Sequence, residues 1–205
     1  MKKIFFKTSI FSLAGLLISL NVISCASMQS YSNCDVHSSS QLPSLYPSEY
    51  AVTLVNTQQI VITTKKEKFE FISLLEIHPH QLSLVALTPV GQKLFQLQYQ
   101  KKKLDYIGFG MPTSFNPAFL LTDISLIFGK QGSLESCFAQ AKIPFSIAVD
   151  ESSADKKFTR LVNMGAEDKI TIEYSIKEIW GGDILFTNHT RDYSIAIKSL
   201  GVEPL

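Results

Sequence analysis

Four residues near the N-terminus carry the most sharply specified chemistry of this sequence. Val22-Ile23-Ser24-Cys25 reads aliphatic, tolerated, small, cysteine. That is the order of a bacterial lipobox, whose cysteine is acylated once the preceding peptide is removed. Lys2, Lys3 and Lys7 form a charged head before it, and Ile10 to Leu20 an apolar core. That core is too short to cross a hydrocarbon layer of ~30 Å comfortably. An ordinary signal peptide cut elsewhere is the alternative. One acyl chain holds a protein to a membrane only marginally, at ~0.8 kcal/mol per buried methylene. Bacterial lipoproteins carry three, which makes the attachment permanent. Ala26 follows the cysteine where inner-membrane lipoproteins usually show Asp, so the expected location is the outer membrane, facing the periplasm.

No other constellation specifies a reaction. A Gly-x-Ser-x-Gly elbow is absent from the sequence, and Ser, His and Asp become a triad only through geometry. His78 and His80 flank Pro79 and read as a hydrated turn before they read as metal ligands. His37 falls in a Ser-rich stretch and His189 near a strand end. Asp183 after Gly181-Gly182 suits a turn. Trp180, just before it, packs at a rim or stacks on a ligand. Gly108-Phe109-Gly110 lacks the rest of a dinucleotide fingerprint. Neither a catalytic residue, a metal site nor a cofactor is expected, so the chain reads as a non-enzyme. Cys34 and Cys137 remain after acylation of Cys25. An oxidising periplasm allows them to pair. Two separate thiols, with Cys137 buried as a small apolar side chain, is the simpler reading.

Charge excludes a class of partner. Three of the 19 Lys and Arg lie in the signal, which leaves 16 against 18 Asp and Glu. A mature chain of net charge −2 does not attract nucleic acid. Lys101-Lys102-Lys103 is too short a run to change that and suits a solvated turn. No second apolar stretch is long enough to span a bilayer.

The elements that would position a site begin after a linker. Residues 1–24 are the signal, and 25–48 the acylated cysteine and a Ser- and Pro-rich tether without hydrophobic periodicity. Residues 49–205 form the domain. Phe69, Phe71, Leu75 and Ile77 alternate with Lys68, Glu70 and Glu76, the period-two signature of a half-buried strand. Ile170, Ile172, Tyr174 and Ile176 repeat it, as do Tyr193, Ile195 and Ile197. Further strands are expected at 50–56, 59–64, 80–88, 92–100, 103–109, 143–149, 157–163 and 183–189. Short turns between them imply an antiparallel meander.

Two helices interrupt the strands. One runs about 117–128, with Asn116 as cap, Pro117 in its first turn and Gly129 at its end. Phe119, Leu120, Leu121, Ile124, Leu126, Ile127 and Phe128 leave only Thr122, Asp123 and Ser125 polar. A helix apolar nearly all round is buried on more than one side. The second runs about 134–141 from Ser133. The expected fold is therefore α+β and β-dominated: an open antiparallel half-barrel of about ten strands, two short helices covering its concave face. Two helices do not fill such a face, so an apolar cavity suited to an acyl chain is expected there, with a fully packed core as the alternative. Its lining would be Phe119, Leu120, Ile124, Ile127 and Phe128 from the helix, and Phe69, Phe71, Ile170, Ile172 and Ile195 from the sheet.

Leu84-Val85-Ala86-Leu87-Thr88-Pro89-Val90-Gly91-Gln92-Lys93-Leu94-Phe95-Gln96-Leu97-Gln98-Tyr99 resembles the DUF3261 family of bacterial lipoproteins. Its members show a leucine-rich strand, Thr-Pro-Leu-Gly-Gln-Arg-Leu-Phe and a second strand. A Leu-Leu-containing helix follows, here Phe115 to Gly129. The resemblance covers most of residues 45–200. It departs at Gly129-Lys130, where Trp-Pro is common, and at Val90, where Leu is usual. It implies the fold shared by the periplasmic lipoprotein carrier and its outer-membrane receptor, half-barrels that hold acyl chains. It also implies a hydrophobic ligand, an acyl chain such as palmitate, a lipid or an aryl polyene-type conjugate, and a periplasmic carrier protein as partner. By the same resemblance Val90 sits at a hairpin tip that contacts the membrane, with a plain turn folded back on the sheet as the alternative. A packed-core assembly lipoprotein that recruits proteins, and a hydrolase acting on an acylated product, are the rival functions.

Overall fold

The computed structural model describes residues 34–36, 42–50, 52–109, 116–151, 158–164, 168–176 and 178–205. Cys25, the signal and His37 lie outside these residues. Within them the chain forms β1 (Cys34–Val36), β2 (Pro43–Leu45), a 3-10 turn at Pro47–Tyr50, β3 (Leu54–Thr64), β4 (Lys68–His78), β5 (Gln81–Leu87), β6 (Lys93–Gln100) and β7 (Lys103–Gly108). Helices α1 (Pro117–Phe128) and α2 (Gln131–Gln140) follow, then β8 (Phe145–Glu151), β9 (Phe158–Met164), β10 (Asp168–Tyr174), β11 (Ile184–Asn188) and β12 (Tyr193–Pro204).

Strands β3 to β7 and β8 to β12 are two antiparallel meanders. Hydrogen bonding of β3 to β12 joins them into one open ten-stranded sheet, in the order β7-β6-β5-β4-β3-β12-β11-β10-β9-β8. The helices occupy the connection between the meanders, so the chain passes across one face of the sheet before the second half is built. Alternation sets the register. Phe71 lies opposite Ile60, Ile62 opposite Ile195 and Ile172 opposite Phe186. A bulge between Ser199 and Gly201 shifts the β12–β3 pairing by one residue and bends the long central pair.

Several boundaries differ from the sequence reading. The strand expected at 50–56 begins only at Leu54 and runs through 59–64 as one strand, because Asn56 and Gln58 at the junction are buried and bonded. Asn56 Nδ2 donates to the Trp180 carbonyl at 2.8 Å and Ser73 Oγ to Gln58 Oε1 at 3.4 Å. β10 stops at Tyr174 and leaves Ile176 exposed. There the Ser175 N–H donates to the Asp183 carbonyl and the Asp183 N–H to Ser175 Oγ, which turns the chain out of the sheet. α2 begins three residues earlier than its capping residue suggested, because Ser133 Oγ instead donates to Glu49 at 2.8 Å.

Order also begins upstream of residue 49. β1 pairs with β2, Leu45 is fully buried, and Cys34 is joined to Cys137 of α2 by a disulfide with Cα atoms 5.4 Å apart. The reading of two separate thiols is therefore corrected. Pairing the first strand with α2 across a sequence separation of 103 restricts the unfolded chain by about 4–5 kcal/mol on loop-closure grounds. Strands β1 and β2 and the turn at Pro47–Tyr50 work as a strap over the helices: the Leu45 N–H donates to Ser125 Oγ of α1 at 3.0 Å, and the Tyr50 hydroxyl lies 3.1 Å from the same oxygen.

Candidate functional site

The site is the seam between α1 and the inner face of the sheet. Local sequence sets the helix. Asn116 Oδ1 accepts from the Ala118 N–H at 2.9 Å, and Pro117 fits the first turn, where no N–H is needed. Ten of the twelve helical residues are buried. Gly129 ends the helix in extended backbone, and any Cβ there would collide with the Ser125 carbonyl and the Leu45 side chain. The strap packs directly on this spot.

Polar ties hold α1 at both ends and in the middle. At the C-terminus, Arg160 of β9 donates from Nη1 to the Leu126 carbonyl at 2.6 Å and the Gly129 carbonyl at 3.1 Å. The Tyr174 hydroxyl donates to the Ile127 carbonyl at 2.6 Å. These partners satisfy carbonyls that a helix end leaves open, and a cation there also meets the negative end of the dipole. Near the N-terminus, the Arg191 guanidinium lies 3.8 Å from the centre of the Phe119 ring. In the middle, the Tyr193 hydroxyl donates to Asp123 Oδ2 at 2.7 Å. Burial pushes the Asp123 carboxyl up to about 7, against the lowering effects of Tyr193 and Arg191.

Six of the ten residues expected to line a ligand cavity meet here. Phe71, Leu120, Ile124, Ile127, Phe128 and Ile195 border a common void. Ile170 and Ile172 are buried but do not border it, and Phe69 and Phe119 are half-buried. The void measures about 20 Å³, room for a single water. Between α1 and this seam the described residues leave no preformed room for an acyl chain, because α1 presents apolar side chains on nearly every side. At the C-terminal end of the seam, Phe128 stacks on Trp180 with ring centres 4.5 Å apart.

Sequence reasoning missed Gln58, Arg160 and the strap. It noted Asp123 only as a break in an apolar helix, although an ionisable residue in such a helix is itself a signal. Elsewhere, His189 Nε2 lies 2.9 Å from Thr171 Oγ1 on the surface, and His78 ends β4 while His80 lies in the β4–β5 turn. Among the described residues no cluster of His, Cys, Asp and Glu is arranged to hold a metal, and no helix is long and apolar enough to cross a membrane. Two open grooves of about 510 and 520 Å³ lie on the surface, one over β3 and β10 to β12, the other beside Tyr46, His80 and Lys102. Both mix charged and apolar walls.

Val90 is 82 % exposed at the tip of the β5–β6 hairpin, so the turn is not folded back. The Phe109 N–H donates to the Leu94 carbonyl, which brings Phe109 and Ile107, 60 % and 57 % exposed, to the same end of the sheet.

The model of a family described as "Protein of unknown function (DUF3261)" matches residues 55–201. Among solved structures, the chain is similar to a "putative outer membrane lipoprotein-sorting protein domain" from Vibrio parahaemolyticus. The two share 11 % identity at a TM-score of 0.36, over 75 % of this chain and 85 % of that one. No curated protein matches.

Proposed function

This chain belongs to the DUF3261 family, and we propose that it is a lipid-anchored protein, attached through Cys25 to the periplasmic face of the outer membrane, that binds and helps localise a hydrophobic molecule. The guest is an acyl chain, a lipid or an aryl polyene-type conjugate, and no reaction is performed on it. It enters between α1 and the sheet, and α1 moves to admit it.

One observation carries this reading: α1 is a helix without a polar stripe, seated on a seam that is apolar but for Gln58 and Asp123. Replacing one hydrocarbon surface by another leaves the same area hidden from water, so a guest can take up the apolar contacts that α1 gives up, the cost lying in the polar ties to Arg160, Tyr174 and Tyr193 that must yield. A sixteen-carbon chain contributes on the order of 10 kcal/mol by methylene counting, before ordering costs. The exposed set of Val90, Ile107 and Phe109 supports a membrane-facing rim at one end of the sheet.

Native mass spectrometry of protein taken from its own envelope tests the reading. A bound lipid mass is the expected result; protein of bare mass throughout would remove it. The small void favours a second reading, a permanently packed core whose surface recruits protein partners. Under it, the same experiment returns protein complexes and no lipid.

A further inference from the structure

The seam under α1 is apolar except at one place. Asp123 and Gln58, 6 % and 2 % exposed, both border the void among Phe71, Leu120, Ile124 and Ile195. Gln58 Oε1 already accepts from Ser73. Asp123 accepts from Tyr193 at Oδ2, and a carboxylate has room for about four hydrogen bonds. Tyr193 and Arg191 are the titratable and charged groups that act on Asp123. The Arg191 guanidinium lies over the Phe119 ring and does not border the void, so it acts on a guest head only from a distance, as it does on Asp123. Polar groups in an apolar lining fix which end of a guest goes where.

We propose, resting on the ligand-binding reading above, that Asp123 receives the head of the guest and selects a hydroxyl-bearing chain over a carboxylate of the same length. A hydroxyl donates to the carboxylate and keeps its own oxygen open to Gln58. A carboxylate head sets two like charges side by side in apolar surroundings, each disfavouring the other. From Asp123 the chain runs along Ile124 and Ile127 to Phe128, about one and a half helical turns further on. There it meets the ring stacked on Trp180, the sole tryptophan of the chain. Guest entry therefore changes the Trp180 emission.

The experiment titrates the full chain, disulfide intact, with 1-dodecanol and with dodecanoate at pH 8, reading Trp180 fluorescence. Burial lifts Asp123 only to about 7, so it is mainly ionised at that pH. The expected result is an affinity for the alcohol greater by about tenfold or more, a ratio that falls several-fold in Asp123→Asn, where only the cost of desolvating the carboxylate head remains. Thr122→Val alters a buried polar residue of α1 that does not border the void, leaves Asp123 and Tyr193 untouched, and keeps the preference, which separates the charge from any damage to the helix seat. Equal affinities in the wild type, an undiminished preference in Asp123→Asn, or one lost in Thr122→Val overturns the role of Asp123 and leaves hydrophobe binding standing. No response to either probe removes the ligand reading itself, and this inference with it.

Discussion

The Tyr193 hydroxyl reaches from β12 to Asp123 in the middle of α1 and donates to its Oδ2 at 2.7 Å. This bond ties a strand of the second meander to a helix whose other inward contacts are largely apolar. It also places an acid where its charge is poorly solvated.

Stability should therefore depend on pH through Asp123. Its folded value of about 7 lies above the unfolded value of about 3.9. The folded protein thus holds the proton more tightly. The stability this contributes is complete below about pH 4, declines as pH rises, and is gone above about 7. Asp123→Asn removes the ionisation. Urea unfolding should show the variant more stable than wild type at pH 8, by up to about 4 kcal/mol, and equal to it near pH 4. A difference that is the same at both pH values excludes Asp123 as its source.

The Cys34–Cys137 bridge should behave as a single unit with the strap. Cys34→Ser, Cys137→Ser and the double variant should each lose about 3–5 kcal/mol, the three values agreeing because one bond is broken in every case. Urea midpoints with and without a thiol reductant measure this. Losses that add in the double variant contradict it.

Regular alternation is what made most of the fold readable. Phe69 to Ile77 shows on paper which side is wet, and the pairing of β4 with β3 and β5 then follows from short turns. α1 was equally plain, because Asn116, Pro117 and Gly129 mark its ends in types that suit caps. The filled interior was not. Whether a helix apolar all round lies beside a hollow or occupies it depends on side-chain volumes summed over distant strands, and no local period reports that sum. The strap escaped for a related reason: β1 and β2 are too short to show a period, and Cys34 gains its meaning only from Cys137. Arg160 looked like an ordinary strand cation. Its partners are the Leu126 and Gly129 carbonyls, 31 to 34 positions away.

Arg160 should anchor the end of α1. Its side chain is buried with two carbonyls as acceptors, so Arg160→Met leaves both without their donor and should cost about 2–4 kcal/mol. Arg160→Lys should recover only part, since one ammonium does not reproduce the planar fork of donors. Hydrogen exchange over residues 125–129 should quicken in both variants while β3 and β4 stay protected. Unchanged exchange at the helix end removes the anchoring role.

Val90 should matter to membranes and not to folding. A side chain 82 % exposed at a hairpin tip makes few contacts to lose, so Val90→Glu should shift stability by no more than about 0.5 kcal/mol. At a lipid surface the same change replaces an apolar tip, set beside exposed Ile107 and Phe109, with a charge that resists leaving water. Binding of the domain without its acyl anchor to phospholipid vesicles, followed by flotation, should fall several-fold in Val90→Glu and rise in Val90→Leu, which adds one methylene worth about 0.8 kcal/mol. The two substitutions move apolar area in opposite directions, so a rim that meets lipid must answer them with opposite signs. Vesicle binding unchanged in both would leave the exposed tip a plain turn.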